Sequence, residues 1–333
     1  MKILGIETSC DETAAAIVED GRKILSNAVA SSLALHAKTG GVIPEVASRE
    51  QLKYILPIIE KSLFDASLEL EDLDAIAVTY GPGLIGPLLI GVETAKTISY
   101  VFNKPLIAVN HLIGHIYANW LEQKEDIEFP ALALIVSGGH TDLVLLKSYK
   151  RLEWLGGTRD DAAGEAFDKV GRTLGLAYPA GAKIEELAKK GNEKAFNLPK
   201  ALLSKDDFDF SFSGLKAAAA REIKKIELNE QMIADFCASL QKAVIDVLVR
   251  KTLNAAEKYN AKSILLGGGV AANQKLRDEL SLKIENLKLK TDFFIPKKSL
   301  CTDNGAMIAA AAFYHGEKTN WNSLTANPNL YFD

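Results

Sequence analysis

Two histidines four residues apart, His111 and His115 in the segment HLIGH, are the residues most able to do chemistry in this chain. On a helix, positions i and i+4 share a face, so two imidazoles at that spacing can hold one divalent cation between them. The competing account is two unrelated surface histidines. A zincin-type peptidase needs a glutamate directly after the first histidine to activate water, and Leu112 stands there instead, which disfavours peptide hydrolysis. A third ligand must come from elsewhere, and CTDNGAM (Cys301–Met307) offers Asp303 at the start of a helix. Two histidines and one carboxylate leave positions open for substrate oxygens and suit iron(II) or zinc. Asp303 can equally be a helix cap, and Cys301 a softer ligand or a bystander.

Three glycine-rich or hydroxyl-rich turns add a second kind of chemistry. ILLGGGVAANQKL (Ile264–Leu276) follows a strand and opens a helix, so backbone N–H groups and a helix N-terminus can face a nucleotide. It matches neither a Walker loop nor a dinucleotide fingerprint, and an ordinary tight turn explains it as well. The turns Thr8–Thr13 and Ser137–Thr141 can present successive N–H groups to an anion, although either alone reads as an exposed hairpin. Asp11 in the first turn can hold a cation or a water, or simply cap the turn. His140 in the second can be catalytic or can bind a donor. Asp161, Glu165 and Asp168 fall on one helix face, where like charges call for a ligand, a cation or a solvated first turn.

The elements that must position these residues alternate between strand-like and helical patterns throughout, as in an α/β protein. Lys2–Glu7 and Ala14–Val18 read as strands joined by a polar turn, Pro44–Leu68 as a helix kinked at Pro57, Ala75–Tyr80 as a strand and Ile90–Phe102 as a helix. In the second half, Asp161–Leu176, Lys183–Lys190, Asn229–Asn260 and Asp303–Tyr314 read as helices, Ser263–Leu266 as a strand, Asp206–Ser213 as a loop and Asn322–Asp333 as a polar tail. ILGIETSCDETAAAIV (Ile3–Val18) is echoed by ALIVSGGHTDLVLL (Ala133–Leu146): strand, small polar turn, strand. Two such units suggest a duplicated two-domain architecture with a cleft between the halves, although two hairpins can also be alike by chance.

The length of 333 residues fits two domains of about 150 residues each, and 48% apolar with 25% charged residues is a globular composition. A net charge of -4 gives no footprint for nucleic acid, so any RNA contact must rest on a local patch or on a partner. Cys10, Cys237 and Cys301 are odd in number and far apart, which favours a reducing, cytoplasmic setting over a disulfide framework. The N-terminus lacks a signal segment, and no apolar run approaches the ~18 residues that span a bilayer.

The motifs GIETSCDET (Gly5–Thr13), GGVIPEVASR (Gly40–Arg49), GPGLIGPLLIG (Gly81–Gly91), NHLIGHI (Asn110–Ile116) and VSGGHT (Val136–Thr141) are joined by four more. These are DDAAGEAFDKVGRTLGL (Asp160–Leu176), DFSFSGLK (Asp209–Lys216), GGGVAAN (Gly267–Asn273) and CTDNGAMIA (Cys301–Ala309). In this order they resemble the TsaD (YgjD, Gcp) family, relatives of the KEOPS catalytic subunit, over essentially the whole chain. The resemblance implies an actin-like ATPase (ASKHA) fold of two duplicated α/β domains, placed at 1–128 and 129–333, with a C-terminal helix able to pack back on the first. It implies transfer of threonylcarbamoyl from threonylcarbamoyl-AMP to the exocyclic amine of adenosine 37 in ANN-decoding tRNAs, with release of AMP. The metal ligands would be His111, His115 and Asp303, binding iron(II) ahead of zinc. The donor would meet Ile135, Val136, Ser137, Gly138, Gly139, Asp168, Gly181, Glu185 and Asn273, with Asp11 and His140 as catalytic groups. Where the family pattern reads YPGGPxID this chain has YPAGAKIE (Tyr178–Glu185), so Glu185 is one methylene longer than the family's aspartate. Partners implied are tRNA and TsaB-like and TsaE-like proteins, in the cytoplasm and without a membrane. A kinase-like phosphotransferase or an ATP-driven scaffold on the same fold are the rival readings.

Overall fold

A computed structural model describes residues 1–203, 207–287 and 290–332. Asp206 of the expected 206–213 loop and Asp333 of the tail lie outside them. The chain divides into two compact units, residues 1–126 with 296–333, and residues 127–295.

The first unit opens with β1 (Lys2–Glu7), β2 (Glu12–Glu19) and β3 (Lys23–Ser31), an antiparallel meander. Helices α1 (Leu33–Thr39) and α2 (Pro44–Ala66) follow, then β4 (Ala75–Gly81), α3 (Ile85–Val101), β5 (Leu106–Asn110) and α4 (His111–Tyr117). Helix α2 runs through Pro57, whose missing N–H the helix tolerates. β4 lies parallel to β1 and β5 parallel to β4. Leu4, Ile6 and Ile17 of the sheet are buried with Ile55, Ile59, Val92 and Ile98 of α2 and α3, each such side chain contributing roughly 1.5–3 kcal/mol.

The second unit holds β6 (Ala131–Val136), β7 (Thr141–Ser148) and β8 (Arg151–Gly157), again an antiparallel meander. After it come α5 (Ala163–Thr173), α6 (Gly181–Ala188), α7 (Ser213–Ile223), α8 (Glu230–Lys258), β9 (Ser263–Gly267), α9 (Gln274–Asn286) and β10 (Asp292–Phe294). The chain ends with α10 (Gly305–Tyr314) and β11 (Lys318–Thr319). The sheet orders are β11-β5-β4-β1-β2-β3 and β10-β9-β6-β7-β8. Apart from the short edge strand β11 the two are the same five-strand arrangement, so the echo in the sequence is a duplication of topology.

Residues 296–333, expected in the span 129–333 with a C-terminal helix able to pack back on the first domain, group with the first unit. The alanine-rich α10 has no polar face, and it is buried against β1, β2 and α4. The fit is close enough that a Cβ on Gly5 would lie 2.2 Å from the Gly305 carbonyl oxygen, and one on Gly305 2.5 Å from Ala16 N. Beyond α10, Asn327 N donates to Tyr80 O at 2.7 Å and β11 pairs with β5, which fastens the polar tail to the first sheet. Among the described residues no helix is long and apolar enough to cross a membrane.

Candidate functional site

β5 delivers the chain to Asn110, whose side-chain oxygen accepts from Leu112 N at 2.8 Å and Ile113 N at 3.4 Å and so starts α4. The first and fifth residues of that helix are His111 and His115, with ring centroids 4.7 Å apart. Asn304 caps α10 by accepting from Met307 N at 3.0 Å, so Asp303 is not the cap and its carboxylate is directed elsewhere. One ligand atom each from His111, His115 and Asp303 lie within 4.8 Å of one another. Asp303 Oδ1 is 3.6 Å from His111 Nε2 and 3.3 Å from His115 Nε2. Cys301 is buried, and its Sγ faces the Pro296 and Lys297 carbonyls.

His115 is 1% exposed, and neither ring nitrogen makes a hydrogen bond; the 3.3 Å approach to Asp303 lacks the geometry of one. A buried imidazole without a hydrogen bond costs free energy unless another partner meets it. Two nitrogen donors and an oxygen donor around such an atom fit a divalent ion.

Behind the trio stands Glu7, a fully buried carboxylate that the sequence reading passed over. Its Oε1 accepts from Ser9 N at 2.5 Å, and its Oε2 accepts from Thr79 Oγ1 at 2.5 Å and lies 3.0 Å from His111 Nδ1. A carboxylate only accepts, so Nδ1 carries a proton, and Nε2 is the atom left to face Asp303 and an ion. Burial lowers the His111 pKa, but Glu7 and then Asp303 more than reverse it, to about 9. Glu12, also unforeseen, is raised by burial and then by Asp303 and Asp11 to about 9, which puts three carboxyl groups in mutual reach. Burial, Asp11 and Asp303 push the Cys10 thiol far above its usual range, so it is no nucleophile at neutral pH. The signal for Glu7 was a lone charge at the end of an apolar strand.

In the second unit the turn Ser137–His140 joins β6 to β7. Ser137 N donates to His140 O at 2.9 Å and His140 N to Ser137 Oγ at 3.1 Å, so of the three backbone donors in Ser137–Gly139 only those of Gly138 and Gly139 are not engaged in the turn. Both glycines have open space where a Cβ would be. Ile135 and Val136 are fully buried strand residues that lead into the turn. Gly268, at φ +90°, lies against the Val136 carbonyl, where a Cβ would be 2.4 Å from the oxygen. This brings the glycine loop beside the Ser137 turn. Asn273 caps α9 by accepting from Leu276 N at 3.1 Å, and Glu185 accepts from Gln274 N at 3.0 Å. The longer Glu185 side chain therefore binds the start of α9.

Asp168 Oδ1 accepts from Ala180 N at 2.7 Å, next to Gly181 at the first position of α6. Burial raises the Asp168 pKa, partly offset by the Ala180 and Gly181 N–H groups. The acidic face needs no outside cation. Lys169 pairs with Asp161 at 2.6 Å and with Glu165 at 2.7 Å, and Lys216 pairs with Asp161 at 2.5 Å. Asp160 accepts from Phe212 N and Ser213 N at the start of α7. The metal trio, Asp11 and Glu12 thus gather in the first unit. The donor-binding candidates and His140 belong to the second, with Asn273 and Glu185 meeting at α9.

Over residues 23–310 the chain matches the family described as TsaD, tRNA N6-adenosine threonylcarbamoyltransferase. It is 52% identical to the tRNA N6-adenosine threonylcarbamoyltransferase of Syntrophomonas wolfei, covering 98% of this chain and 97% of that one. It is 51% identical to that of Moorella thermoacetica, covering 98% and 95%. Among solved structures, component A of (R)-2-hydroxyglutaryl-CoA dehydratase from Acidaminococcus fermentans superposes with TM-score 0.55 at 15% identity, over 94% of this chain and 98% of that one. Full-length HypF superposes at 0.63 with 13% identity, over 94% of this chain and 46% of that one. These two likenesses establish the actin-like ATPase fold.

Proposed function

The chain belongs to the TsaD family of tRNA N6-adenosine threonylcarbamoyltransferases, and from that membership we propose how its own residues carry out the transfer. The enzyme places a threonylcarbamoyl group on the N6 atom of an adenosine in tRNA. The donor is threonylcarbamoyl-AMP and the acceptor is adenosine 37 of ANN-decoding tRNAs. N6 forms a bond to the carbamoyl carbon, the bond from that carbon to the phosphate oxygen breaks, AMP departs with the electron pair, and N6 loses one proton. The mixed anhydride is already activated, so positioning supplies most of the acceleration.

His111, His115 and Asp303 hold a divalent ion, iron(II) ahead of zinc, which when bound supplies positive charge as a template and Lewis acid for donor oxygens. Glu7 keeps the His111 proton on Nδ1, which leaves Nε2 as a ligand atom. The Gly138 and Gly139 amides donate to oxygen that gains negative charge in the transfer. Asp168 holds the Ala180–Gly181 turn, while Asn273 and Glu185 fix the first turn of α9; these place backbone groups at the nucleotide. Asp11, beside the histidine–aspartate cluster, and His140, in the turn between β6 and β7, are the catalytic groups. With a net charge of -4, tRNA capture draws on TsaB-like and TsaE-like partners in the cytoplasm.

The buried His115 ring, with both nitrogens free of hydrogen bonds, is the observation that carries the metal assignment. The test is His111→Ala, purified with its partners and supplied with bicarbonate, threonine, ATP and unmodified tRNA. A folded variant with little bound metal and no modified tRNA is expected. Modification at the wild-type rate would overturn the assignment.

A further inference from the structure

The β1–β2 loop carries Ser9 and Asp11 and leads into Glu12 at the start of β2, and its backbone carbonyls are held from outside it. Gln51 of α2 is fully buried, and its Nε2 lies 3.3 Å from Thr8 O, 3.0 Å from Cys10 O and 3.1 Å from Glu12 O. The two intervening carbonyls are caught from other directions. Ser9 O accepts from Leu84 N at 2.8 Å, and Asp11 O accepts from Ser32 N at 3.0 Å and Ser32 Oγ at 2.9 Å. All five carbonyls from Thr8 to Glu12 therefore turn outward to α2, to the residue before α3 and to the residue before α1. The Gln51 Oε1 makes no hydrogen bond, so all of this side chain's bonding goes to the loop.

We infer that Gln51 is a positioning residue: one amide gathers three alternate carbonyls and thereby fixes where Ser9, Asp11 and Glu12 stand beside the histidine–aspartate cluster. Ser9 Oγ is 3.2 Å from His111 Nδ1, and Glu12 and Cys10 both feel Asp303, so a shift of the loop moves the groups that face the transfer. Gln51 touches none of the metal ligands and none of the reacting atoms. The histidines and Asp303 are held by the Asn110 and Asn304 caps, so losing the clamp disturbs the loop while sparing ion binding. The inference rests on the proposed transfer for its kinetic readout, and on the geometry alone for its structural one.

The test uses the full chain with its partners and compares wild type, Gln51→Met and Gln51→His. Methionine keeps the length without the donor; histidine returns a ring N–H at about the same reach. Expected for Gln51→Met are a fall in kcat of tenfold or more, KM for tRNA within twofold of wild type, zinc uptake within twofold, and faster amide hydrogen exchange in residues 8–13. Gln51→His recovers most of the rate. Unchanged transfer and exchange in a folded Gln51→Met protein would overturn the clamp. So would a loss of zinc in proportion to the loss of rate, or no recovery with histidine. If Gln51→Met does not fold, Ser32→Ala, which removes one of the two donors to Asp11 O, must still speed exchange in the same segment, and unchanged exchange refutes the inference. Absence of transfer in wild type counts against the proposed function, whereas the exchange comparison decides the clamp separately.

Discussion

Replacing Glu7 with glutamine changes one atom and should convert a metal ligand into a poor one. Ser9 N requires an acceptor at the Oε1 position, so the new amide nitrogen takes the Oε2 place, 3.0 Å from His111 Nδ1. An amide N–H there donates, Nδ1 must accept, and the imidazole proton moves to Nε2, the atom that faces the ion. Loss of such a supporting carboxylate typically weakens metal binding by about 10–100-fold, roughly 1.4–2.7 kcal/mol. An opposing effect has comparable size. With a pKa of about 9, His111 in the metal-free wild type is protonated at pH 7, and displacing that proton costs two pH units, about 2.7 kcal/mol. The variant lacks Glu7's charge, the larger of the two that raise this pKa, and escapes much of that cost. The two proteins should therefore bind zinc with similar apparent affinity near pH 7. They should separate as pH rises, the wild type gaining about tenfold per unit up to pH 9 and the variant staying nearly flat. Chelator-buffered zinc titrations at pH 7, 8 and 9, with proton release measured by calorimetry in two buffers, read this directly. Parallel pH profiles for the two proteins would refute the role given to Glu7.

Two further outcomes follow from the same geometry. His111 and Glu12 are both raised to about 9, from ordinary values of 6.5 and 4.5. A raised pKa stabilises the fold below the unfolded value and loses that contribution as pH climbs through the folded one. Metal-free protein should accordingly lose stability from about pH 4.5, where the Glu12 contribution begins, up to about pH 9, with His111 adding about 3 kcal/mol between about pH 6.5 and 9. Thermal melts in chelator across that range check this, and saturating zinc should remove the decline. Gly305→Ala places a methyl 2.5 Å from Ala16 N and 2.6 Å from Gly5 O, so α10 must shift. A cost of about 1–3 kcal/mol in denaturant unfolding is expected, along with weaker zinc binding, because Asp303 directly precedes this helix.

The sequence by itself determined the alternation of strands and helices, the repeated strand–turn–strand, the HLIGH pair and Asp303 as candidate ligands, because these depend on local period, spacing and residue type. Other features were decided only when distant segments met. The sequence allowed a C-terminal helix to pack back on the first domain, but that the whole of 296–333 groups with the first unit, with the apolar α10 buried on β1, was decided in three dimensions. Asp161 and Glu165 are neutralised by Lys169, so their shared face reports an internal ion pair and needs no ligand. Glu7 and Gln51 look in the sequence like a lone strand-end charge and an ordinary helix amide. Their roles come from approaching His111 and the Thr8–Glu12 carbonyls within hydrogen-bond distance. Hydrogen bonds at 3 Å between segments far apart in the chain leave no periodic trace in either segment, which is why the supporting shell becomes visible only in three dimensions.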